Sequence, residues 1–326
     1  MKTEYTQLKQ MLGDRVKENE VLAPYTTFKI GGPADLFYEA KTIEELVRVI
    51  VSAHKLGVSI WVLGGGSNVL VADMGLRGLV VKNSTSRIFL RGMKGAFKSG
   101  ESSGNVFVET DTGVIMNKLV RFSVEEGLAG LEMHLGLPGT VGGAIYMNSK
   151  WTHPEGYVGD VVYQAEILNS KNEQQVVPKS YFQFGYDSSL IQKTGDIVLR
   201  VVFALRQGDK EKLWESANAA IAYRRESQPQ GVLGPGCTFR NITKAQAMTA
   251  ATPQGTTSAG FLIDHAGLKG VTIGGAQISP VHANFIINRN KATAADVIQL
   301  ISRAKEQVKR QFGVLLEEEI VRIGEF

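Results

Sequence analysis

The pattern of apolar and polar positions divides the chain into segments of distinct period. Thr42-Ile-Glu-Glu45 has the form of a capping box. Ile43, Leu46, Val47, Ile50 and Ala53 recur behind it at helical spacing, and Gly57 stands where a C-cap belongs, so a helix is predicted there. The short apolar runs Ile60–Leu63, Val69–Val71 and Leu79–Val81 read as strands, which makes residues 1–82 a small α/β unit. A mixed Gly/Ser/Lys stretch follows, with a strand predicted at Arg87–Leu90. Strand character resumes at Val106–Glu109, a helix is predicted over 113–126, and strands follow near 161–168, 174–178 and 197–204. Asp209 caps a predicted helix running to Arg225, with Leu213, Ala217, Ala220 and Ile221 on one face. Gln228-Pro229 and Gly234-Pro235-Gly236 then break the chain. Beyond them a helix is predicted near 259–266, strands near 271–278 and 284–288, and a helix from Thr293 to Phe312 that Gly313 ends. The tail 314–323, carrying Glu317, Glu318 and Glu319, reads as a strand. The expected divisions are 1–82, 83–225, 226–313 and 314–326.

Composition narrows the class. Of 326 residues 36 are Gly, 9 Pro and one Cys, with 43% hydrophobic, which excludes collagen and a disordered low-complexity chain. A single Cys excludes an internal disulfide and a Cys-based zinc or iron–sulfur site. The net charge of +4 comes from basic residues spread along the chain, which suits a small anionic ligand better than nucleic acid. The N-terminus lacks an apolar signal-peptide core and no run approaches a membrane span. The expectation is a soluble cytoplasmic protein with no nucleic-acid or membrane partner, a monomer binding a small molecule.

The glycines gather in loops. Gly64-Gly65-Gly66-Ser67-Asn68 lies between two strands, so it does not open a helix as a Rossmann loop must, and no Gly-Lys-[Ser/Thr] follows it. Bare glycine backbone can turn its amides toward a diphosphate, although a tight hairpin turn is the plainer reading of one such loop. Gly136, Pro138, Gly139, Thr140, Gly142 and Gly143 form a second loop, and Gly31-Gly32 after Thr26-Thr27-Phe28-Lys29 a third. Together they point to one extended dinucleotide held by amides in an uncharged bed rather than by lysines. Cys237, in Gly236-Cys-Thr-Phe-Arg-Asn241, is either an inert small apolar residue or a group for nucleophilic or proton-transfer chemistry. No protease-like motif surrounds it. His265 and His282 read as structural hydrogen-bonding residues, Glu317 and Glu318 as surface charge, and no cluster has metal-ligand spacing.

The Gly-Ser-Asn loop in a non-Rossmann α+β context resembles the vanillyl-alcohol-oxidase-type (PCMH-type) FAD-binding fold. None of the five His lies near Gly64–Asn68, so the resemblance implies non-covalent FAD. A denser set of motifs resembles the shorter subtype of the UDP-N-acetylenolpyruvoylglucosamine reductase (MurB) family. It comprises Thr26-Thr-Phe-Lys-Ile-Gly-Gly-Pro-Ala34, Leu63–Leu70, Gly130-Leu-Glu132, Gly136–Ala144 with Met147-Asn148, Tyr223-Arg-Arg225 with Gln228-Pro229, and Gly236–Asn241. It continues with Ala259–Asp264, Gly267–Gly270, Gly274-Gly-Ala276, His282–Asn288 and Phe312–Glu319, in order from about residue 24 to the C-terminus.

The resemblance implies an α+β flavoenzyme with FAD-binding subdomains at 1–82 and 83–225, a substrate-binding domain at 226–313, and a final strand, 314–326, returning to the FAD-binding body. It implies an oxidoreductase of peptidoglycan precursor synthesis, hence of cell wall biogenesis, cell shape and division. NADPH is the co-substrate, and FAD passes hydride to the enolpyruvyl ether of a UDP-sugar. Gly64–Asn68, Gly136, Pro138, Gly139, Thr140, Gly142 and Gly143 are the implied cofactor-binding residues. Tyr186, Arg224, Arg240, Asn241, Lys269 and His282 are the implied substrate-binding residues. The proton donor falls on Cys237, where the family usually has Ser, and the acidic partner on Glu319, which spacing alone cannot separate from Glu317. One departure stands out: the usual Phe-Gly-Tyr-Arg reads Phe184-Gly-Tyr-Asp187, and Asp cannot replace an always-cationic guanidinium, so either another cation such as Arg224, Arg240 or Lys269 takes the role, or the local geometry differs, or activity is reduced. A family Lys position reads Ser227. The rival readings are another FAD-dependent oxidoreductase of the same fold and a non-catalytic UDP-sugar or nucleotide-binding relative.

Overall fold

The computed structural model describes residues 3–94, 97–98, 101–102 and 104–326. The first third runs α1 (Thr3–Leu12), β1 (Lys17–Val21), β2 (Pro33–Ala40), α2 (Ile43–Lys55), β3 (Ile60–Leu63), β4 (Val69–Val71), β5 (Leu76–Asn83), β6 (Ile88–Lys94), β7 (Phe97–Lys98), β8 (Glu101–Ser102) and β9 (Asn105–Asp111). The middle runs α3 (Met116–Glu125), β10 (Leu128–Ala129), α4 (Val141–Met147), β11 (Lys150–Thr152), β12 (Glu155–Tyr157), β13 (Val162–Leu168), β14 (Gln174–Pro178), α5 (Ile191–Thr194), β15 (Ile197–Gln207) and α6 (Lys210–Ser227). The last third runs α7 (Lys244–Thr249), α8 (Ala259–His265), β16 (Thr272–Ile273), β17 (Ala276–Ile278), β18 (Ile286–Asn288), α9 (Ala294–Phe312) and β19 (Val321–Ile323). Among the described residues no helix is long and apolar enough to cross a membrane.

The residues form two compact units that interleave along the chain. Unit 1 comprises Met1–Val16, Tyr38–Gly65 and Val80–Arg224; unit 2 comprises Lys17–Phe37, Gly66–Leu79 and Arg225–Phe326. Residues 1–82 are thus shared between the units, and the break at Arg224–Arg225 separates the middle from the last third.

In unit 1 the antiparallel sheet runs β14–β13–β15–β9–β6, with β10 also on β15. β15 is its centre, with Val201 opposite both Ala165 of β13 and Thr110 of β9. Val106, Val108, Val201, Phe203 and Leu205 from the sheet share one core with Leu119, Val120 and Val124 of α3 and Ile145 of α4. Burying each large aliphatic or aromatic side chain there contributes about 1.5–3 kcal/mol. α2 forms as its capping box predicts, the Thr42 side chain accepting from the Glu45 N–H, and it buries Ile43, Leu46, Val49, Ile50 and Ala53.

In unit 2 α9 starts on a reciprocal capping box between Thr293 and Asp296 and buries Val297, Leu300, Ile301, Ala304 and Val308. Those side chains join a core with Leu262 and Ile263 of α8 and Ala276 and Ile278 of β17, in the sheet β16–β17–β18. The first turn of α9 is also fixed from far away in sequence: Asp73 accepts the Ala294 N–H at 2.7 Å and the Ala295 N–H at 3.0 Å. The tail departs from the predicted strand over 314–323. Its ladder is confined to β19, parallel to β4 with Val321 opposite Val69, and among the described residues its strand pairing before that is an isolated bridge between Glu318 and Phe239.

Candidate active site

In unit 1 the first two glycine loops meet. A Cβ on Gly65 would lie 2.6 Å from the Gly139 Cα, and one on Gly64 would lie 2.4 Å from the Thr140 Oγ1. Only glycine lets the two backbones approach so closely. The second loop is pinned from its own flank. The Gly136 N–H donates to Asn117 Oδ1 at 2.6 Å, Val141 N–H to the Val114 carbonyl at 2.8 Å, and Gly142 N–H to the Thr112 carbonyl at 2.9 Å. Gly142 and Gly143 lie inside α4, so the expected open loop ends at Thr140, and the amides of Gly136 and Gly142 serve the fold. Among the described residues, the N–H groups of Gly65, Gly139 and Thr140 make no hydrogen bond to the protein, and the buried Thr140 Oγ1 has no partner either.

The bed is not uncharged, as the sequence reading expected: the Lys82 ammonium donates to the Gly64 carbonyl. The sequence gives no hint of it, because Lys82 directly follows the apolar run Leu79–Val81 and a charged residue there reads as solvent-facing.

Two predicted substrate residues sit elsewhere in unit 1. Arg224 lies with its guanidinium carbon 4.7 Å from the Trp151 ring centroid, and a Cβ on Gly136 would come within 3.0 Å of the Arg224 Cδ. His134 lies in the same neighbourhood. Burial, then the Arg224 charge, push its pKa down to about 4 against a counteracting Asp160, so the ring is neutral. Tyr186 is 36% exposed, with the Lys150 Nζ 3.4 Å from its ring centroid. Asp187 is buried at φ +48° on the turn closed by Gly185 and Ser188. Asp tolerates that left-handed backbone well. Lys150 is a cation beside Tyr186 that the sequence did not single out.

Unit 2 carries the other cluster. Gly66 takes φ +63° where a Cβ would lie 2.1 Å from the Tyr25 carbonyl oxygen, and its own carbonyl accepts the Thr27 N–H at 3.0 Å. Asn68 Nδ2 donates to the Glu319 carbonyl at 3.1 Å, and the Asn68 carbonyl accepts the Val321 N–H at 2.9 Å, so Asn68 anchors the tail. The tail in turn laces onto the Cys237 segment: Glu319 N–H donates to the Thr238 carbonyl at 2.8 Å and Arg240 N–H to the Glu317 carbonyl at 2.9 Å. The other edge of that segment is held by Asn284, from the His282–Asn288 motif. Asn284 Oδ1 accepts the Phe239 N–H, its Nδ2 donates to the Phe239 carbonyl, both at 2.8 Å, and its backbone carbonyl accepts the Thr238 N–H at 2.7 Å. Cys237 is half-buried at the start of this laced strand, after Gly236 at φ +96°.

The remaining predicted residues lie around it. Asn241 Oδ1 accepts the Ala259 N–H at 3.1 Å, at the start of α8. Lys269 pairs with Asp264 at 2.7 Å on the surface. His282 Nδ1 accepts the Asn284 N–H at 3.2 Å, which assigns the proton to Nε2, and burial holds the ring below the usual imidazole pKa. His265 bonds the Phe261 carbonyl at 3.0 Å and stacks on its ring, the structural role expected of it. Glu318 is not surface charge: its carboxylate binds both Lys305 and Arg322. Burial alone would raise its pKa, but those two cations outweigh it and hold the group below the usual carboxylate range. Among the described residues no group of three or more His, Cys, Asp or Glu could hold a metal ion.

The chain is similar to known proteins along nearly all of its length. A profile described as "FAD binding domain" matches residues 34–177, and one described as "UDP-N-acetylenolpyruvoylglucosamine reductase, C-terminal domain" matches residues 228–323. The UDP-N-acetylenolpyruvoylglucosamine reductase of Halalkalibacterium halodurans is 37% identical over 310 residues, 95% of each chain. The chain belongs to the UDP-N-acetylenolpyruvoylglucosamine reductase family. The Geobacillus kaustophilus reductase is 36% identical over 322 residues, covering 98% of this chain and 97% of its own. The crystal structure of the Thermus caldophilus reductase superimposes with a TM-score of 0.74 at 31% identity, covering 95% of this chain and 99% of that one. A VAO-type flavoprotein from Myceliophthora thermophila C1, at 9% identity and a TM-score of 0.57 over 95% of this chain and 85% of that one, shares the fold.

The reductase is therefore an α+β protein with the vanillyl-alcohol-oxidase-type fold, and its cofactor is FAD. The residues present suit that group. The unpartnered Thr140 hydroxyl, the unpaired amides of Gly65, Gly139 and Thr140, and the bare glycine surfaces are donors and space matched to a diphosphate.

Proposed function

We propose that this reductase uses NADPH to reduce the enolpyruvyl group of UDP-N-acetylenolpyruvoylglucosamine to UDP-N-acetylmuramate, as a monomeric cytoplasmic step of peptidoglycan precursor synthesis. FAD, held non-covalently, supplies the hydride when bound. Residues 1–82 and 83–225 form its binding subdomains and 226–313 bind the UDP-sugar.

Reducing an enol ether conjugated with a carboxylate leaves negative charge that a cation must stabilise and a positioned acid must quench. Cys237 is the acid. A thiol, with a reference pKa of ~8.5, gives up its proton far more readily than the hydroxyl of a serine in the same place. Glu319 is its acidic partner. The observation that carries this reading is the lacing of the tail onto the Cys237 segment through the 2.8 Å bond from Glu319 N–H to the Thr238 carbonyl. Fixing both main chains in one ladder restricts the freedom with which the two side chains move, the kind of preorganisation that proton transfer requires.

Arg224, steadied on Trp151, is suited to an anionic part of the substrate, as a guanidinium binds phosphate and carboxylate oxygens in fork geometry. Tyr186, Arg240, Lys269 and His282 complete the substrate contacts, His282 as an Nε2–H donor. Asn241 contributes by fixing the start of α8.

The test is product analysis. NADPH oxidation that depends on the enolpyruvyl UDP-sugar, with a product two hydrogens heavier, is the expected result. NADPH oxidation indifferent to that sugar, with no such product, contradicts the reading.

A further inference from the structure

Lys82 lies on β5 between the buried Val81 and Asn83. Its ammonium donates to the Gly64 carbonyl, which occupies one of three donors. Among the described residues no carboxylate lies within ion-pairing distance of it; Glu39 exerts only a longer-range pull and accepts a bond from Ser84 at 2.8 Å. Burial lowers the Lys82 pKa, so keeping the charged form there has a cost that the more distant Glu39 only partly offsets.

The other side of the same glycine is just as one-sided. Thr140 Oγ1 is buried without a partner 2.4 Å from where a Gly64 Cβ would stand, and the Gly65 and Thr140 amides make no bond to the protein. An ammonium, a hydroxyl and two amides around one glycine, with no acidic side chain among them, form a donor set that calls for an anion. We propose that Lys82 is a cofactor-binding residue, supplying the positive charge that faces the diphosphate of bound FAD. The inference rests on the FAD reading and changes its chemistry: the diphosphate is held by a charge as well as by backbone amides.

The test uses full-length wild-type, Lys82→Gln and Lys82→Arg chains. FAD and riboflavin affinities are measured by flavin fluorescence at low and high salt, with thermal melting of each chain as a control on folding. Gln keeps a donor for Gly64 but no charge, so its FAD dissociation constant is expected to rise about tenfold or more at low salt. The salt dependence of FAD binding should weaken with it, since screening then has one fewer charge to act on. Lys82→Arg should stay near wild type, and riboflavin, which has no diphosphate, should bind all three chains alike. Lys82→Gln binding FAD as wild type does, with the same salt dependence, would overturn the inference. Parallel loss of riboflavin and FAD would also overturn it, by reducing Lys82 to a brace for the loop. A wild-type chain that takes up no FAD at all would instead overturn the flavoenzyme reading on which the inference stands.

Discussion

The backbone N–H of Glu319 donates to the carbonyl of Thr238 at 2.8 Å, so residues 81 positions apart in sequence share one short ladder, and Cys237 is the next residue along it. Asn284 closes the opposite edge with its side chain as well as its backbone. The Cys237 segment is thus held from both sides without belonging to a regular sheet.

Asn284→Ala tests that support. The substitution leaves the buried N–H and C=O of Phe239 without partners, at a cost of roughly 1–3 kcal/mol for each unsatisfied group. The denaturant midpoint should fall, and kcat should fall with it under conditions where the variant remains folded. A variant with unchanged kcat would show that the edge is structural only.

His134 makes stability depend on pH. Its folded pKa of about 4 lies below the usual 6.5, so as pH falls the unfolded chain takes up the proton before the folded one does. Stability is therefore lost progressively between pH 6.5 and 4, by up to ~3 kcal/mol for this one group. His134→Leu should flatten the profile in that window while leaving stability near pH 8 little changed, as followed by urea unfolding at each pH.

Gly65→Ala addresses the meeting of the two loops. A methyl 2.6 Å from the Gly139 Cα forces backbone apart where no flexible side chain can yield. FAD affinity is expected to fall at least about tenfold while far-ultraviolet dichroism stays native, since overpacking of this kind costs on the order of 1–3 kcal/mol. Unchanged FAD affinity would show that the loops do not jointly form the bed.

Much of the architecture was legible where local signals and tertiary structure agree. α2 and α9 carry capping boxes, a 3.6-residue apolar period and a terminal glycine, and both form within a residue or so of the prediction. α4 was hidden because Gly142 and Gly143 disfavour a helix, and only the packing of Val141, Ala144 and Ile145 into the core of unit 1 overrides that. β1 was missed because Lys17–Val21 is mostly exposed and has no apolar alternation to read. The tail reads as a strand from its residue pattern, yet among the described residues its pairing before β19 is confined to one bridge, Glu318 with Phe239, and nothing in an alternating pattern reports whether a neighbouring strand exists.

The same distinction governs the site. Cys237, Glu319 and the glycine loops could be nominated from the sequence because they sit in recognisable motifs. Lys82, Lys150 and Asn284 take their roles from what lies opposite them in space. Asp73 belongs to the same class, since its use as a cap for α9 joins positions 221 residues apart.

The most direct measurement of the central claim is anaerobic flavin reoxidation in a single turnover. FAD on wild-type protein and on Cys237→Ala is reduced with NADPH, and enolpyruvyl UDP-N-acetylglucosamine is then added in stopped flow. Both proteins should reduce with NADPH at similar rates. The wild type should then return to the oxidised spectrum with formation of the saturated product, while Cys237→Ala loses at least about a hundredfold in that product-forming step, the scale of a missing general acid. A wild-type flavin that stays reduced after the sugar is added would contradict the reductase mechanism, and a Cys237→Ala variant that forms product at the wild-type rate would remove Cys237 as the acid.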